Sequence, residues 1–255
     1  MESNDSEKEE ITKDQHFLID LKIIKKLISA IDLKKEDKII EIGAGQGNIT
    51  QELVKIKNPI FALELDEKFK SFLEEISKEN KNFQFKIENA LDIPWNKHNK
   101  IIGNIPFSAA EAIIQKSIED RIELLSLLIS ENLKETLSSE SKLGLITNLF
   151  FELSIIAEVD PQSLSPPPSI GCYIIQLKRK SPKNKVESIL RDILTKNGKT
   201  KNAILFSLAK SGMTKNQARD FISSSDLTEA VLDKQIRRAS SHLIVRLAEE
   251  LSKLR

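Results

Sequence analysis

Between residues 38 and 130 the sequence alternates short apolar runs with amphipathic segments, and this alternation limits the fold more than any other feature. The apolar runs predict strands, and the amphipathic segments predict helices. An earlier helix is predicted over residues 21–31, with Asp20 as its N-cap. Alternation of this kind is typical of a mostly parallel sheet covered by helices on both faces. The predicted strands are residues 38–43, 59–65, 83–89, 100–104 and 121–130, and the helices between them are residues 46–56, 67–78 and 108–118.

The pattern changes after Leu143. Residues 144–153 predict a helix, the three prolines of SPPPS exclude regular structure, and residues 172–180 predict a last strand. From Pro182 onward the sequence predicts helices throughout. The expected divisions are a disordered acidic tail at residues 1–10, an α/β domain at residues 11–180 and a small helical domain at residues 181–255.

The formal net charge of +1 conceals an uneven distribution of charge. Residues 181–255 carry 15 lysines and arginines against 8 acidic residues, a net charge of +7, whereas the rest of the chain carries −6. A basic helical segment fits an anionic partner such as RNA. A plain solvated surface would carry the same charges, so charge alone does not decide between them.

The composition argues against several classes of protein. The single cysteine, Cys172, excludes an internal disulfide and lies in an apolar run that predicts a core position. The three histidines are scattered and lack the spacing of a metal site. No apolar stretch reaches the roughly 20 residues of a membrane span, and the acidic start lacks a signal-peptide core. We therefore expect a cytoplasmic protein with no membrane partner and no bound metal.

A glycine-rich turn follows the first predicted strand of the sheet. In EIGAGQGNIT, Gly43, Gly45 and Gly47 alternate and lead into a helix. Glycine lets a backbone turn tightly and approach a ligand without a Cβ in the way. The spacing differs from the GxGxxG pattern of a dinucleotide site. A tight turn without a ligand would use the same residues.

Glu64 strengthens the indication of a nucleotide site. It lies 21 residues after Gly43, at the end of the next predicted strand. A carboxylate in that position can accept hydrogen bonds from both hydroxyls of a ribose, as in dinucleotide-binding folds. A surface acid at a strand end is the alternative. If the site is real, a nicotinamide dinucleotide and S-adenosylmethionine both satisfy the pattern.

The end of the fourth predicted strand separates these two cofactors. It reads Asn104, Ile105, Pro106 and Phe107, and resembles the [DNS]-P-P-[YF] signature of methyltransferases that act on exocyclic amines. Asn104 Oδ1 and the Ile105 carbonyl can accept the two N–H bonds of an adenine amine and stabilise the charge that develops during attack. Pro106 stiffens the turn, and Phe107 offers a stacking face for an unstacked base. A structural asparagine followed by a core phenylalanine is the alternative.

The ordered set of motifs resembles one family. DQHFL, EIGAGQGNIT, ALELD, ENAL and NIPF occur in the order and spacing of the ribosomal RNA adenine dimethyltransferases, which include the KsgA-type small-subunit enzymes and the Erm methylases. The proline-rich loop, the last strand and the helical C-terminal segment resemble the same family. The resemblance implies a class I methyltransferase fold, with a Rossmann-like, mostly parallel α/β sheet and a small helical C-terminal domain. It also implies S-adenosylmethionine as the cofactor.

The resemblance further implies roles for individual residues. Gly43 would line the amino-acid end of the cofactor, Glu64 its ribose and Asn89 its adenine amine. Asn104 would lie between cofactor and substrate, and Gln15 would fix the N-terminal loop over the site. Cofactor contacts are also implied for His16, Leu18, Gly45, Gly47, Leu65 and Ala90.

The sequence departs from the family pattern in four places. His16 stands where the family usually has asparagine, Asn89 replaces an aspartate, and Phe107 replaces a tyrosine. Loss of the carboxylate at residue 89 predicts weaker cofactor binding. Residues 108–110, Ser-Ala-Ala, replace a more polar stretch, and this change bears on substrate positioning.

The function that the resemblance implies is dimethylation of two adjacent adenines near the 3′ end of small-subunit ribosomal RNA. The expected partner is this RNA or a pre-30S-like ribosomal particle, bound by a monomer whose basic helices contact phosphates. One alternative is methylation of large-subunit RNA, as in the Erm branch. Another is a non-catalytic, RNA-binding ribosome-assembly factor. A nicotinamide dehydrogenase is least favoured, because the dinucleotide loop spacing is missing.

Overall fold

The computed structural model describes residues 16–254. Gln15 and the acidic tail predicted at residues 1–10 lie outside the described residues. The chain divides into two compact units, each with its own buried apolar cluster. Among the described residues, the first unit comprises residues 16–135 and Glu152–Arg179, and the second comprises Thr136–Phe151 and residues 180–254.

The first unit is built on β-strands. The strands are β1 (Phe17–Leu18), β2 (Ile39–Ile42), β3 (Ile60–Glu64), β4 (Phe83–Ile87), β5 (Lys100–Asn104), β6 (Leu124–Ser130), β7 (Phe151–Val159), β8 (Leu164–Ser165) and β9 (Cys172–Arg179). Strands β2 to β6 and β9 match the predicted apolar runs to within three residues at each end. Strands β1, β7 and β8 were not predicted.

Seven of these strands form one sheet in the order β4-β3-β2-β5-β6-β9-β7. Five neighbouring strands, β4, β3, β2, β5 and β6, pair in parallel, and β9 pairs antiparallel with β6. The prediction of a mostly parallel sheet is confirmed. From β2 the chain runs outward through β3 and β4, and then returns to place β5 on the other side of β2. Ligands of such sheets bind outside the carboxyl ends of the strands at this reversal.

The side chain of Asp20 determines where the first helix of the sheet unit begins. Asp20 caps the first helix, because its Oδ1 accepts hydrogen bonds from the backbone N–H groups of Lys22 and Ile23. This confirms the predicted N-cap. Among the described residues, no helix is long and apolar enough to cross a bilayer. The helices that follow the strands are α1 (Leu21–Ser29), α2 (Asn48–Leu53), α3 (Lys70–Glu79), α4 (Phe107–Glu119) and α5 (Glu131–Ser138).

The second unit is helical, as predicted for the C-terminal segment. Its core collects apolar side chains from every long helix of the unit. Thr214 and Gln217 form a capping box, in which each side chain binds the backbone N–H of the other residue. The helices are α6 (Lys142–Phe150), α7 (Lys185–Leu194), α8 (Thr200–Lys210), α9 (Lys215–Ser224), α10 (Glu229–Leu232) and α11 (Ser241–Ser252).

The structure differs from the sequence-based expectation around residue 150. The helix predicted over residues 144–153 ends at Phe150, and Phe151 begins the unpredicted strand β7. Helix α5 was also not predicted. Residues 136–151, expected in the sheet domain, belong to the second unit, because Leu145, Ile146 and Leu149 pack against its core.

Candidate active site

The turn after β2 adopts the left-handed backbone conformation at all three alternating glycines. The φ angles are +73° at Gly43, +52° at Gly45 and +82° at Gly47. Residues with a Cβ rarely adopt these angles. A Cβ on Gly43 would lie 3.5 Å from the carbonyl oxygen of Asn104. The glycine turn therefore passes close beside the end of β5.

Glu64 ends β3 and is buried, with 7% of its surface exposed. Its Oε2 accepts a hydrogen bond of 2.7 Å from the Gly45 N–H. Its Oε1 accepts two, from the N–H groups of Leu65 and Asp66, at 2.8 and 2.9 Å. A carboxylate offers about four acceptor positions. The backbone takes three of them, so this carboxylate keeps acceptor capacity for one hydroxyl where the sequence predicted two.

Glu41, two residues before Gly43, is a buried carboxyl that was not predicted to belong to the site. Its Oε2 accepts a hydrogen bond of 2.7 Å from the Thr50 hydroxyl, and its Oε1 has no partner among the described residues. Burial raises the pKa of Glu41 to about 8; the Thr50 hydrogen bond opposes this rise, and the charge of Glu64 adds to it. The signal in the sequence was an acid inside an otherwise apolar strand, where ionisable residues are rarely buried.

Asn104 ends β5 and is half-buried. Its side-chain Nδ2 donates a hydrogen bond to the backbone carbonyl of His16. Because the nitrogen and the oxygen of the planar amide lie on opposite sides of the Cβ–Cγ bond, this bond fixes the direction in which Oδ1 points. Within residues 16–254, Oδ1 accepts no hydrogen bond. The arrangement leaves Oδ1 as an oriented acceptor.

The residues after Asn104 form a turn that leads into α4. Ile105 is buried, and Pro106 is the exposed N-cap residue of the helix, with an extended backbone. Phe107 is the first residue of α4, but its side chain lies outside the described part of the chain, and so does the predicted stacking face. Ala110 is fully buried, so its methyl group belongs to the core.

The N-terminal segment joins this turn to the proline-rich loop. A hydrogen bond of 2.7 Å connects His16 Nδ1 with the carbonyl oxygen of Pro166, and β1 pairs antiparallel with β8 beside it. Leu18 is 2% exposed, and its carbonyl accepts a hydrogen bond of 3.0 Å from Asn48 Nδ2 at the start of α2. Its side chain supports the site from the core.

Three further predicted residues follow the ends of β3 and β4, which are neighbours in the sheet. Leu65 is 61% exposed, which is unusual for a large apolar side chain next to a buried acid. Asn89 Oδ1 accepts a hydrogen bond of 3.0 Å from the backbone N–H of Leu91. The carbonyl of Ala90 accepts one of 3.0 Å from the Trp95 indole. An apolar side chain and an amide thus lie at adjacent strand ends.

The predicted residues from Gly43 to Asn104 therefore collect at the carboxyl ends of β2, β3, β4 and β5. Apart from Glu41, Phe17 was also not predicted; its ring lies over Gly45 and would contact a Cβ there at 2.8 Å. The fold and the site define a methyltransferase of class I architecture. The sheet has this strand order, with a glycine turn after its first long strand, an acid at the end of the second and an Asn-Ile-Pro turn at the end of the fourth.

The chain belongs to the ribosomal RNA adenine dimethylase family, whose sequence profile matches residues 7–250. This match confirms the resemblance that the motifs predicted, and with it the predicted class of enzyme, an rRNA adenine methyltransferase.

Individual proteins show how far the similarity extends. The probable ribosomal RNA small subunit methyltransferase A of Methanococcus maripaludis strain C7 is 30% identical over 181 residues, 68% of this chain and 69% of that protein. Its namesake from Methanococcoides burtonii is 24% identical over 255 residues, 95% of this chain and 93% of that protein. A dimethyladenosine transferase from Plasmodium falciparum superposes with a TM-score of 0.63 at 20% identity, covering 93% of this chain and 98% of that one, and shows the same fold.

Proposed function

We propose that the chain transfers methyl groups from S-adenosylmethionine to the exocyclic amines of two adjacent adenines near the 3′ end of small-subunit ribosomal RNA. The orientation of Asn104 supports this most directly, because His16 holds its nitrogen and leaves its oxygen to accept an N–H bond. The small-subunit RNA is chosen because the relatives from Methanococcus and Methanococcoides are named for that subunit. A substrate of this kind agrees with the cytoplasmic location expected from the sequence.

The residues around the glycine turn fit a cofactor that carries positive charge. The buried side chain of Glu64 lies beside the turn and binds the Gly45 N–H. Its carboxylate would repel the pyrophosphate of a dinucleotide and attract the ammonium and sulfonium groups of S-adenosylmethionine, whereas Glu41, with a pKa raised to about 8, adds little negative charge at neutral pH. When bound, S-adenosylmethionine supplies an activated methyl group attached to its own leaving group. The single remaining acceptor position on Glu64 suits a donor of such a cofactor.

Further residues would complete the cofactor site. The Gly43 backbone, which has no Cβ, would lie along the amino-acid end. The exposed side chain of Leu65 would cover one face of the adenine, and Asn89 would bind its edge. The remaining residues assigned to the cofactor site are Gln15, His16, Leu18, Gly45, Gly47 and Ala90.

The Asn104 turn would hold the adenine amine of the substrate. Asn104 Oδ1 and the carbonyl oxygen of Ile105 would accept its two N–H bonds, which favours the tetrahedral nitrogen that attack requires and stabilises the positive charge developing there. Pro106 fixes the turn, so both acceptors keep their positions. Because His16 orients Asn104 before substrate binds, little reorganisation is needed.

The second unit would supply the RNA-binding domain. Residues 181–255 carry a net charge of +7, and contacts from their lysines and arginines to phosphates would make the affinity for RNA fall steeply with salt. We propose that the protein acts as a monomer on a pre-30S-like ribosomal particle, in which the target adenines lie in a loop that can be unstacked.

Transfer of radiolabelled methyl groups to small ribosomal subunits that lack the modification tests this function. We expect label in the small-subunit adenines. Label only in naked large-subunit RNA would support the Erm-like alternative instead. Cofactor binding without transfer to either RNA would support a non-catalytic assembly factor. If calorimetry detects no binding of S-adenosylmethionine or its demethylated product, the enzymatic proposal is wrong.

A further inference from the structure

A cluster of three polar side chains lies just beyond the end of β6. Lys134 Nζ is 3.4 Å from Glu131 Oε1 and 3.9 Å from the centre of the Tyr173 ring. The Tyr173 hydroxyl donates a hydrogen bond of 3.3 Å to the same carboxylate oxygen. The backbone N–H of Glu131 binds the carbonyl of Gly171 at 2.8 Å. These contacts fix the cluster to the last residue before β9, at the end of the proline-rich loop.

The cluster lies at the same end of the sheet as the Asn104 turn, where the parallel strands have their carboxyl ends. Strands β5 and β6 are parallel neighbours, and Asn104 pairs with Leu128. Glu131 comes three residues after Leu128. With a rise of about 3.3 Å per residue and strands about 4.8 Å apart, its backbone lies roughly 11 Å from that of Asn104. This separation is comparable to the span of a nucleotide from its base amine to its phosphate.

The proline-rich loop connects the two places. Its first proline, Pro166, binds His16, which in turn holds the Asn104 side chain. Its last residue, Gly171, binds Glu131. A target nucleotide whose base is held at the Asn104 turn and whose backbone follows this loop would bring its phosphate to the cluster.

Lys134 is an anchored cation. Its ammonium lies over the face of an aromatic ring, and only 19% of its side chain is exposed, so it loses little side-chain entropy on binding a ligand. Burial lowers the pKa of Lys134, but Tyr173 and Glu131 outweigh this effect and raise it, so the ammonium stays charged. The Glu131 side chain is 43% exposed and can turn toward solvent while Tyr173 keeps the lysine in place.

We propose that Lys134 binds a backbone phosphate of the target RNA, next to the nucleotide whose amine is held at Asn104, and that Glu131 pairs with Lys134 until the RNA replaces it. This inference rests on the proposed function and adds a substrate-positioning residue to it. Tyr173 keeps the ammonium aimed at the RNA in both states. Because Glu131 competes with the phosphate, its removal should strengthen RNA binding.

Binding of a single-stranded RNA oligonucleotide, containing two adjacent adenines and the flanking small-subunit sequence, tests this role by fluorescence anisotropy over a series of salt concentrations. Lys134→Ala should weaken binding about tenfold at low salt and reduce the slope of log affinity against log salt by about 0.7, the value for one phosphate contact on a single strand. Lys134→Arg should keep both affinity and slope. Glu131→Gln should bind more tightly than the unmodified protein.

The matched control is Lys57→Ala. Lys57 is exposed and precedes β3, so it lies at the amino ends of the strands, opposite the Asn104 turn. If Lys134→Ala changes the affinity and the slope no more than Lys57→Ala does, the inference is wrong, while the methylation proposal stands. Calorimetry with S-adenosylmethionine should give the same affinity for every variant. A weaker cofactor affinity in Lys134→Ala would show a general structural defect and would also overturn the inference, whereas failure of the unmodified protein to bind the cofactor would overturn the proposed function itself.

Discussion

Asn104 is oriented before any substrate is present, and this orientation determines what its removal should do. Its Nδ2 is bound to the His16 carbonyl, and its Oδ1 is directed away from that bond. We expect Asn104→Ala to lower methyl transfer by about 10²–10³-fold, the usual effect of removing one preorganised group that stabilises a developing charge. The affinity for S-adenosylmethionine should stay within about tenfold, because the role proposed for Asn104 Oδ1 is mainly to stabilise the transition state. Single-turnover rates and calorimetry measure the two quantities, and wild-type turnover by the variant would refute the assigned role.

Glu41 should make the stability of the protein depend on pH. Burial raises its pKa in the folded state to about 8, compared with an ordinary value of 4.5. The folded state therefore binds a proton more tightly than the unfolded state. This contribution to stability is fully present below about pH 4.5 and is lost as the pH rises toward 8, at up to about 1.4 kcal/mol per pH unit. Glu41→Gln keeps the shape and the Thr50 hydrogen bond and should remove this dependence.

Urea unfolding between pH 5 and pH 8.5 measures the effect, as the difference in the free energy of unfolding between Glu41→Gln and the unmodified protein. That difference should shift in favour of the variant as the pH rises. Glu36→Gln is a suitable control because Glu36 is exposed on the same unit. Parallel pH profiles for all three proteins would mean that Glu41 is ionised in the folded state at neutral pH.

The sequence predicted which residues lie together, because parallel strands place their carboxyl ends at the same end of the sheet and the motifs occupy those ends. Sequence alone did not predict the hydrogen bonds between them. Three backbone N–H groups bind Glu64 and reduce the number of hydroxyls that it can accept. Glu41 was missed because its carboxyl becomes unusual only through burial, which depends on packing across the sheet.

At the scale of the element, Gly144 is a helical glycine whose replacement by alanine should destabilise the protein. Replacing a helical glycine by alanine ordinarily stabilises a protein by about 1 kcal/mol. In α6, however, a Cβ on Gly144 would lie 2.1 Å from the carbonyl oxygen of Ser139 and 2.8 Å from that of Thr136. Backbone must shift to relieve these contacts, so we expect Gly144→Ala to destabilise the protein by about 1–3 kcal/mol. Ser223→Ala, at an exposed position of α9, should change stability by no more than about 0.5 kcal/mol. Chemical denaturation compares the two variants, and a stabilised Gly144→Ala would contradict the prediction.

The elements that the sequence did not predict lie where local pattern is ambiguous. Phe150 and Phe151 are adjacent in one apolar run, yet the first ends α6 and the second begins β7. A short apolar run suits a buried helix or a buried strand equally well, and periodicity does not separate them. What decides is the sheet edge beside β9, which β7 occupies, and that contact is remote in sequence.

At the scale of the whole molecule, the composition of the two units depends on contacts that are distant along the chain. The charge pattern and the helical pattern both change near Lys180, so the sequence predicted a single boundary there. Helix α6 nevertheless contributes to the core of the second unit through Leu145, Ile146 and Leu149. Only the packing partners of these apolar residues, and not their spacing, reveal which unit they belong to.

Two pairs of exposed lysines test whether the basic second unit binds RNA. Neutralising the exposed Lys201 and Lys234 of the second unit should weaken RNA binding and reduce the salt slope by up to about 0.7 for each single-strand phosphate that these lysines bind. Neutralising the exposed Lys57 and Lys97, which precede β3 and β5, changes the net charge by the same amount but at the amino ends of the strands.

If long-range attraction alone governs binding, both double variants should lose affinity equally. If the second unit contacts the RNA, only Lys201→Gln/Lys234→Gln should show the smaller slope, while both should keep the cofactor affinity of the unmodified protein. Equal slopes for the two double variants would therefore rule out these two lysines as residues through which the second unit binds RNA.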